Sequence, residues 1–306
     1  MEKENNIVKQ KKKKNNASVA LVYFITLTVV LLVIGGISLF VMTKYVITDD
    51  SSSTSSVQDS TPTKKDNTTR LYMMVDDKNN LETVLIERFL PKSCKIVLLP
   101  ISEKTVASGS NNTLAQEYAA SGTKAVTKSL EEMLDIKFDG FIVLDHTNFE
   151  NVIDNIATIN YTVPETVYYI DEDSDDVLNY EQGEELTLFG SEMRLFLTYP
   201  NYANGAGQNQ KVFGEMLSKV VNQGLSTALT VQNLSSTYSA MVKGATDKNF
   251  SLNDFDERMT SNIKYIIDNS DEPAQYITAT GSWDLEGTKF TLDSEFKNQL
   301  KELFEL

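Results

Sequence analysis

The segment from Ser18 to Thr43 constrains this chain more than any other part of its sequence. Its 26 residues carry no charge and are dense in Val, Leu, Ile and Phe. About 20 apolar residues in an α-helix, rising ~1.5 Å each, cross a hydrocarbon core of roughly 30 Å. A cleaved signal peptide would have a shorter apolar core and a small-x-small cleavage site, and residues 40–46 show no such pattern. Residues 18–43 are therefore predicted to form an uncleaved transmembrane signal anchor.

The charges on the two sides of this segment predict its orientation. The chain has 28 Lys and Arg against 43 Asp and Glu, a net charge of −15. Residues 1–17 form a basic tail with six lysines and two glutamates, so the two sides carry +4 and −19. Because basic segments stay on the cytoplasmic side, we expect a single-pass cell-membrane protein with residues 44–306 outside. The large acidic part also argues against nucleic-acid binding, which depends on Lys and Arg contacts to phosphate.

The segments that follow predict one folded domain after a linker. Residues 44–69 are rich in Ser and Thr and are typical of a flexible linker. From Arg70 onward, short apolar runs predict buried strands and amphipathic stretches predict helices. The predicted strands are 71–75, 83–86, 95–99 (ended by Pro100), 140–145, 162–163, 166–170 and 275–280. The predicted helices are 113–134 with an interruption near Gly122, one capped by Asn148, 190–198, 208–223, 227–243, 252–268 and 292–303. This alternation over residues 70–306 predicts a single α/β domain with helices on both sheet faces.

Most general signatures of catalysis are absent from the sequence. It has no Gly-x-Ser-x-Gly elbow, no Gly-x-x-x-x-Gly-Lys phosphate loop and no Cys/His zinc cluster. His146, the only histidine, directly follows a predicted strand, and we expect it to pack or to cap a helix. Cys94 is the only cysteine, which excludes an intramolecular disulfide. An exported domain without disulfides favours a bacterial surface.

Acidic residues gather where the first predicted strand ends and the second begins. Asp76 and Asp77 follow the first strand, and Glu82 precedes the second. Carboxylates in such positions can converge on Mg²⁺, which prefers one or two carboxylates plus substrate phosphates, or they can be solvated turn residues. A later acidic stretch, Glu165 to Glu185, is expected to be a solvated hairpin or loop. Weak Ca²⁺ binding is the alternative for its four aspartates, Asp171, Asp173, Asp175 and Asp176.

Several short segments between Arg70 and Gln223 share their order and spacing with a known family. They are Met74-Val75-Asp76 for its Gly-x-Asp, Asn80-Leu81-Glu82-Thr83 for its Arg-x-Asp-Thr, Leu99-Pro100-Ile101-Ser102 for its Ile-Pro-Arg-Asp, Leu144 to Phe149 for its Val-Asp-Phe-x-x-Phe, and Gly190 to Pro200 with Asn209-Gln210 for its late arginine-containing stretch. In this framework the chain resembles the LytR–CpsA–Psr family of bacterial cell-envelope proteins.

The resemblance implies both a fold and a reaction. Members of the family are single-pass, signal-anchored proteins with an extracytoplasmic α/β/α sandwich domain. They transfer anionic glycopolymers, such as teichoic acids, from polyprenyl-pyrophosphate carriers to peptidoglycan. Such a reaction needs arginines for the phosphates, Mg²⁺ to screen charge and an apolar slot for the prenyl chain. Carried over to this chain, Asp76 and Glu82 would be the metal-side carboxylates and Gln210 a polar contact.

The family's arginine positions are where this chain departs from the pattern. They hold Asn80, Ile101, Thr198, Pro200 and Asn209. One interpretation is a degraded catalytic site, which leaves a membrane-anchored binding or scaffolding protein. A second is an active ligase in which Lys104 and Lys211, close to the missing arginines, bind phosphate as point charges. A third is a structural or adhesive surface protein, for which no apolar tunnel between sheet and helices is expected.

Overall fold

The computed structural model describes residues 61–170, 177–205, 207–226 and 230–306. The predicted transmembrane span at 18–43 lies outside these residues, and so do the four aspartates between 171 and 176. None of the helices in the described part of the chain combines the length and the apolar character needed to cross a membrane.

Strands and helices alternate along the described residues. The strands are β1 (Thr68–Val75), β2 (Leu81–Leu90), β3 (Lys95–Ser102), β4 (Gly140–Asp145), β5 (Ile159–Thr162), β6 (Val167–Ile170), β7 (Val177–Tyr180), β8 (Glu185–Leu188), β9 (Asp247–Lys248), β10 (Ala274–Tyr276), β11 (Gly281–Trp283) and β12 (Phe290–Leu292). The α-helices are α1 (Leu114–Ser121), α2 (Thr123–Leu134), α3 (His146–Ile156), α4 (Gly190–Thr198), α5 (Gly207–Leu225), α6 (Thr230–Gly244), α7 (Glu257–Asn269) and α8 (Phe296–Leu303). The predictions for 140–145 and 190–198 are confirmed at both ends, and the acidic stretch contains the expected hairpin, β6–β7.

A mixed sheet forms the centre of the described domain, with six strands in the order β10-β3-β2-β1-β4-β9. Strand β1 is antiparallel to β2 and parallel to β4, so Met73 lies between Val84 and Val143. Strand β3 is antiparallel to β2 and parallel to β10. The parallel pairing of β1 with β4 brings their carboxyl ends, Val75 and Asp145, to one edge of the sheet.

Alternating side chains along the strands divide the core between the two sheet faces. One face packs against α1, α2 and α8 through Leu114, Leu130 and Phe296. The other face packs against α3 to α7, with Val152 and Val220 among the buried contacts. The prediction of an α/β domain with helices on both faces of the sheet is confirmed.

The prediction that Pro100 ends the third strand is wrong. Strand β3 continues to Ser102, and Pro100 pairs with Leu85 of β2. On its other edge β3 pairs with β10 only from Ile96 to Leu98. Since no described strand follows that edge beyond Leu98, proline removes no ladder hydrogen bond from it.

Three predicted helix starts are also wrong. The helix predicted from Leu252 begins at Glu257, after a 3₁₀ turn at Leu252–Asp254. Asn148 is not the cap of its helix: Asp145 is, because its carboxylate accepts the Asn148 backbone N–H at 2.8 Å. The strand therefore passes directly into α3, which begins at His146. The last helix begins at Phe296 and not at Leu292, because Leu292 ends β12 and pairs with Gly281.

Candidate functional site

The turn between β1 and β2 holds Asp76, one of the two predicted metal-side carboxylates. Its carboxylate accepts the backbone N–H groups of Lys78 and Asn80 at 2.9 and 2.7 Å, and the side-chain amide of Asn80 at 2.8 Å. These hydrogen bonds stabilise the conformation of the turn. Asp76 and Asn80 thus hydrogen-bond each other at the sheet edge. Asn80 occupies one of the family's arginine positions.

The second predicted carboxylate, Glu82, binds the only histidine. Its Oε2 lies 2.6 Å from His146 Nε2, and both side chains are largely buried. The hydrogen bond to Glu82 raises the pKa of His146, while burial opposes the shift. Because the two residues are 64 positions apart, only the pairing of β1 with both β2 and β4 brings them together. The sequence alone did not reveal this contact, and the placement of His146 after a strand was the one available signal.

A pocket of about 230 Å³ lies beside Glu82, where β2 and β3 meet α4 and α5. We call it the polar pocket. Its lining includes Glu82, Ser102, Glu103, Lys104, Thr198, Tyr199, Pro200, Asn209 and Gln210. Three of the predicted site residues, Glu82, Lys104 and Gln210, are therefore brought together. Lys211 is exposed and, like Asp76, is not among the residues that line this pocket.

The side chains at the family's arginine positions are committed to the fold. Ile101 is 2 % exposed and packs in the core on the α1–α2 face. The Asn209 amide donates to the carbonyl oxygens of Leu197 and Tyr199 at 2.9 and 2.8 Å, which caps the end of α4. The Thr198 hydroxyl donates to the Arg194 carbonyl at 3.1 Å. These residues close the polar pocket but do not direct charge into it.

A second carboxylate, Glu103, faces the polar pocket and was not anticipated from the sequence. The Ser102 hydroxyl donates to its Oε2 at 3.1 Å. Burial raises the pKa of Glu103, and the nearby charge of Glu82 acts in the same direction. Among the described residues that line the pocket, Lys104 is the cation that faces these two carboxylates. The pocket thus carries no excess of positive charge.

A larger cavity of about 280 Å³ lies between the sheet and helices α3, α5, α6 and α7. We call it the apolar cavity. Its lining includes Met74, Leu85, Phe89, Ile96, Leu98, Leu144, Phe149, Val152, Ile153, Leu217, Val221, Leu225, Met241, Phe255 and Ile263. Arg70 and Glu87 also line it and pair with each other at 3.5 Å. Thr83 and Phe213 line both the apolar cavity and the polar pocket, so the two share a wall.

The carboxylates at this edge do not make a ready site for Mg²⁺. Asp76 accepts three hydrogen bonds within its turn, and Glu82 binds His146. In the part of the chain that the structure describes, no three His, Cys, Asp or Glu residues are grouped to hold a metal ion. Mg²⁺ prefers one or two carboxylates plus substrate phosphates, so a phosphate-bearing ligand would have to supply the remaining oxygen atoms at this edge. Binding of Mg²⁺ therefore stays a prediction.

The fold and the site together define an α/β/α domain with an internal apolar cavity beside a polar pocket. The sequence profile of the family described as the LytR_cpsA_psr family matches residues 30–301. The chain therefore belongs to the LytR–CpsA–Psr family, and the resemblance drawn from its sequence is confirmed. A comparison with curated proteins gives no match.

Solved structures share the fold at low sequence identity. One is a transcription regulator, as it was named, from Eubacterium siraeum DSM 15702, at a TM-score of 0.72 and 18% identity, covering 84% of this chain and 99% of that one. TagV of B. subtilis has a TM-score of 0.63 at 16% identity and covers 79% of this chain and 97% of its own. A structure named "TagT bound to LIIa-WTA" has a TM-score of 0.59 at 18% identity, over 79% of this chain and 90% of TagT.

Proposed function

We propose that this chain is a membrane-anchored protein of the bacterial cell envelope that binds a polyprenyl-linked glycopolymer without transferring it. Residues 18–43 anchor it with residues 1–17 in the cytoplasm, and the domain faces the cell wall. The prenyl chain occupies the apolar cavity and the head group occupies the polar pocket. In this role the protein holds or presents the carrier lipid near peptidoglycan, and nucleic acid is not a partner.

The observation that carries this proposal is the shared wall between the two cavities. An amphipathic ligand needs an apolar slot for its chain and polar groups where that slot ends, and Thr83 and Phe213 mark such a junction. A purely structural or adhesive domain has no need for an apolar cavity between sheet and helices. The TagT complex named LIIa-WTA supports a cell-wall glycopolymer as the general ligand class.

The replaced arginines support binding without transfer. Hydrogen bonds between guanidinium groups and phosphate oxygens contribute roughly 1.5–3 kcal/mol each. Ile101 is buried in the core, and Asn209 caps α4, so neither position supplies such a contact. The polyprenyl phosphate that leaves during transfer would find one ammonium, that of Lys104, opposite two carboxylates.

A second candidate function, an active glycopolymer ligase, is favoured by the position of Lys104. Neither Lys104 Nζ nor the Gln210 amide makes a hydrogen bond to another described residue, so both are available to a ligand in the pocket. Since Lys211 is exposed outside the pocket, such a rewired site would depend on Lys104 and Glu82, with Mg²⁺ as cofactor. The full chain with Mg²⁺, a glycopolymer linked to polyprenyl pyrophosphate and peptidoglycan as acceptor distinguishes the two functions. We expect no glycopolymer on the peptidoglycan and no release of polyprenyl monophosphate; transfer with release of polyprenyl monophosphate that is lost in Lys104→Ala would establish the ligase instead.

Filling the apolar cavity tests the lipid-binding function itself. Val221 of α5 lines the cavity, and a tryptophan there would occupy space that the prenyl chain needs. Excluding two methylene groups costs about 1.6 kcal/mol, or about a tenfold loss of affinity. Gln223→Trp is the matched control, because Gln223 lies on the same helix and is exposed.

The assay is equilibrium binding of radiolabelled polyprenyl phosphate to the full chain in detergent micelles. We expect Val221→Trp to weaken binding at least tenfold and Gln223→Trp to stay within about twofold of wild type. Equal affinity of all three proteins would place the prenyl chain elsewhere and reject the proposal.

A further inference from the structure

The composition of the polar pocket indicates which head group it accepts. Its charged lining residues in the described part of the chain are Glu82, Glu103 and Lys104. His146 hydrogen-bonds Glu82 but does not itself line the pocket. With His146 protonated these charges sum to zero, and with His146 neutral they sum to −1. A pyrophosphate diester would bring two further negative charges into a site with no positive excess, which like charges oppose.

Both carboxylates are held in place by hydrogen bonds to neighbouring side chains. Glu82 is fixed by the 2.6 Å contact with His146, and Glu103 by the Ser102 hydroxyl at 3.1 Å. The serine is itself fixed, because its oxygen accepts the Lys104 backbone N–H at 3.1 Å. Polar groups that are already ordered lose little conformational entropy when they bind, so these carboxylates are suited to recognition.

We propose that the polar pocket binds an uncharged sugar that is linked to the prenyl chain through a single phosphate. The carboxylates of Glu82 and Glu103 accept hydrogen bonds from sugar hydroxyls. The Gln210 amide can both donate and accept a hydrogen bond, and a sugar hydroxyl can do the same. Lys104 offsets the one charge of a phosphodiester. This inference rests on the proposed lipid-binding function, but it specifies the head group and excludes pyrophosphate as the preferred one.

The test compares three ligands on the full chain in detergent micelles, with Mg²⁺ present throughout. They are polyprenyl monophosphate bearing a neutral hexose, polyprenyl monophosphate alone and polyprenyl pyrophosphate. We expect the hexose-bearing lipid to bind at least about tenfold more tightly than the pyrophosphate, with the bare monophosphate between them.

Variants of the pocket give readouts in opposite directions, which loss of folding would not produce. Glu103→Gln is expected to weaken binding of the hexose-bearing lipid and to strengthen binding of the pyrophosphate, because one carboxylate charge is removed. Gln210→Ala is expected to weaken binding of the hexose-bearing lipid and to leave binding of the other two lipids unchanged. Glu132→Gln, an exposed substitution on α2 on the opposite sheet face, is the control and should leave all three affinities unchanged.

The outcomes separate this inference from the proposed function. If the three lipids bind with equal affinity and Val221→Trp weakens the binding of each, the apolar cavity binds the prenyl chain but the proposed recognition of a neutral sugar is wrong. Tighter binding of pyrophosphate than of the hexose-bearing lipid would likewise overturn the inference. If none of the lipids binds, the proposed function and the inference fail together.

Discussion

The contact between α3 and α4 positions the wall of the polar pocket and depends on a buried ion pair. Arg194 of α4 is 2 % exposed, and its Nε donates to Glu150 Oε1 at 2.6 Å. Leu197 to Pro200, which begin three positions after this arginine, line the pocket. Replacing Glu150 with alanine would leave a buried guanidinium without this carboxylate and is therefore expected to destabilise the domain.

The size of the effect follows from the burial of the two partners. Removing one partner of a buried pair costs about 3–5 kcal/mol. The Glu150 side chain is 26% exposed, so water can partly replace it, and we expect a loss near the lower end, about 3 kcal/mol. For a domain of this size each kcal/mol lowers the melting temperature by roughly 2–4 °C, which predicts a decrease of about 6–12 °C.

Thermal unfolding of the full chain in detergent, followed by near-UV circular dichroism, measures this decrease. Glu150→Gln keeps an oxygen acceptor and should lose about half as much stability. The double variant Arg194→Met/Glu150→Leu removes both charges and should recover most of the loss, because an apolar pair needs no compensation. A Glu150→Ala protein that melts within about 2 °C of wild type would refute the reasoning, since the guanidinium would then not depend on this carboxylate.

Two further predictions concern contacts made by α3. The hydrogen bond to Glu82 raises the pKa of His146 above its usual value of 6.5. Protonated His146 therefore stabilises the folded state fully below pH 6.5, and this stabilisation is lost as the pH rises through the folded-state pKa. We expect the free energy of unfolding to fall over this window in wild type and to change less in His146→Gln; parallel pH profiles of the two proteins in urea titrations would contradict this. At Gly190 an added Cβ would collide with Glu150 O and lie 2.6 Å from Glu150 Cα, backbone atoms that cannot rotate away. Gly190→Ala is therefore expected to cost about 1–3 kcal/mol in the same titration, against less than about 0.5 kcal/mol for Ser191→Ala, and equal losses in the two variants would show that the α3–α4 contact tolerates the methyl group.

The sequence was most informative where the hydrophobic pattern is local. Apolar runs such as Gly140–Asp145 and the amphipathic stretch at Gly190–Thr198 predicted their elements, because side-chain periodicity reflects which face is buried. The strand prediction was wrong at Pro100 because a proline interrupts a strand only where its missing N–H would pair with a neighbouring strand. Which strand pairs with that edge of β3 is a property of the whole sheet.

The site was predictable in part. The family framework indicated Glu82, Lys104 and Gln210, which line one pocket. The framework could not indicate that Glu82 binds His146, because the two residues are 64 positions apart. It could not indicate that Asn209 caps α4, because that contact depends on how α5 packs beside the end of α4. Glu103 was missed because an acidic residue at a strand end has the same local pattern whether it faces solvent or a pocket.

Photo-crosslinking tests the central claim, that the apolar cavity holds a prenyl chain, most directly. The full chain in membranes would be labelled with a polyprenyl phosphate that carries a diazirine near the end of its chain, and the labelled peptides would be mapped by mass spectrometry. We predict labels on cavity residues such as Leu85, Leu217 and Met241, and their loss in Val221→Trp. Labels confined to residues 18–43, or to the opposite core around Leu130, would contradict the claim.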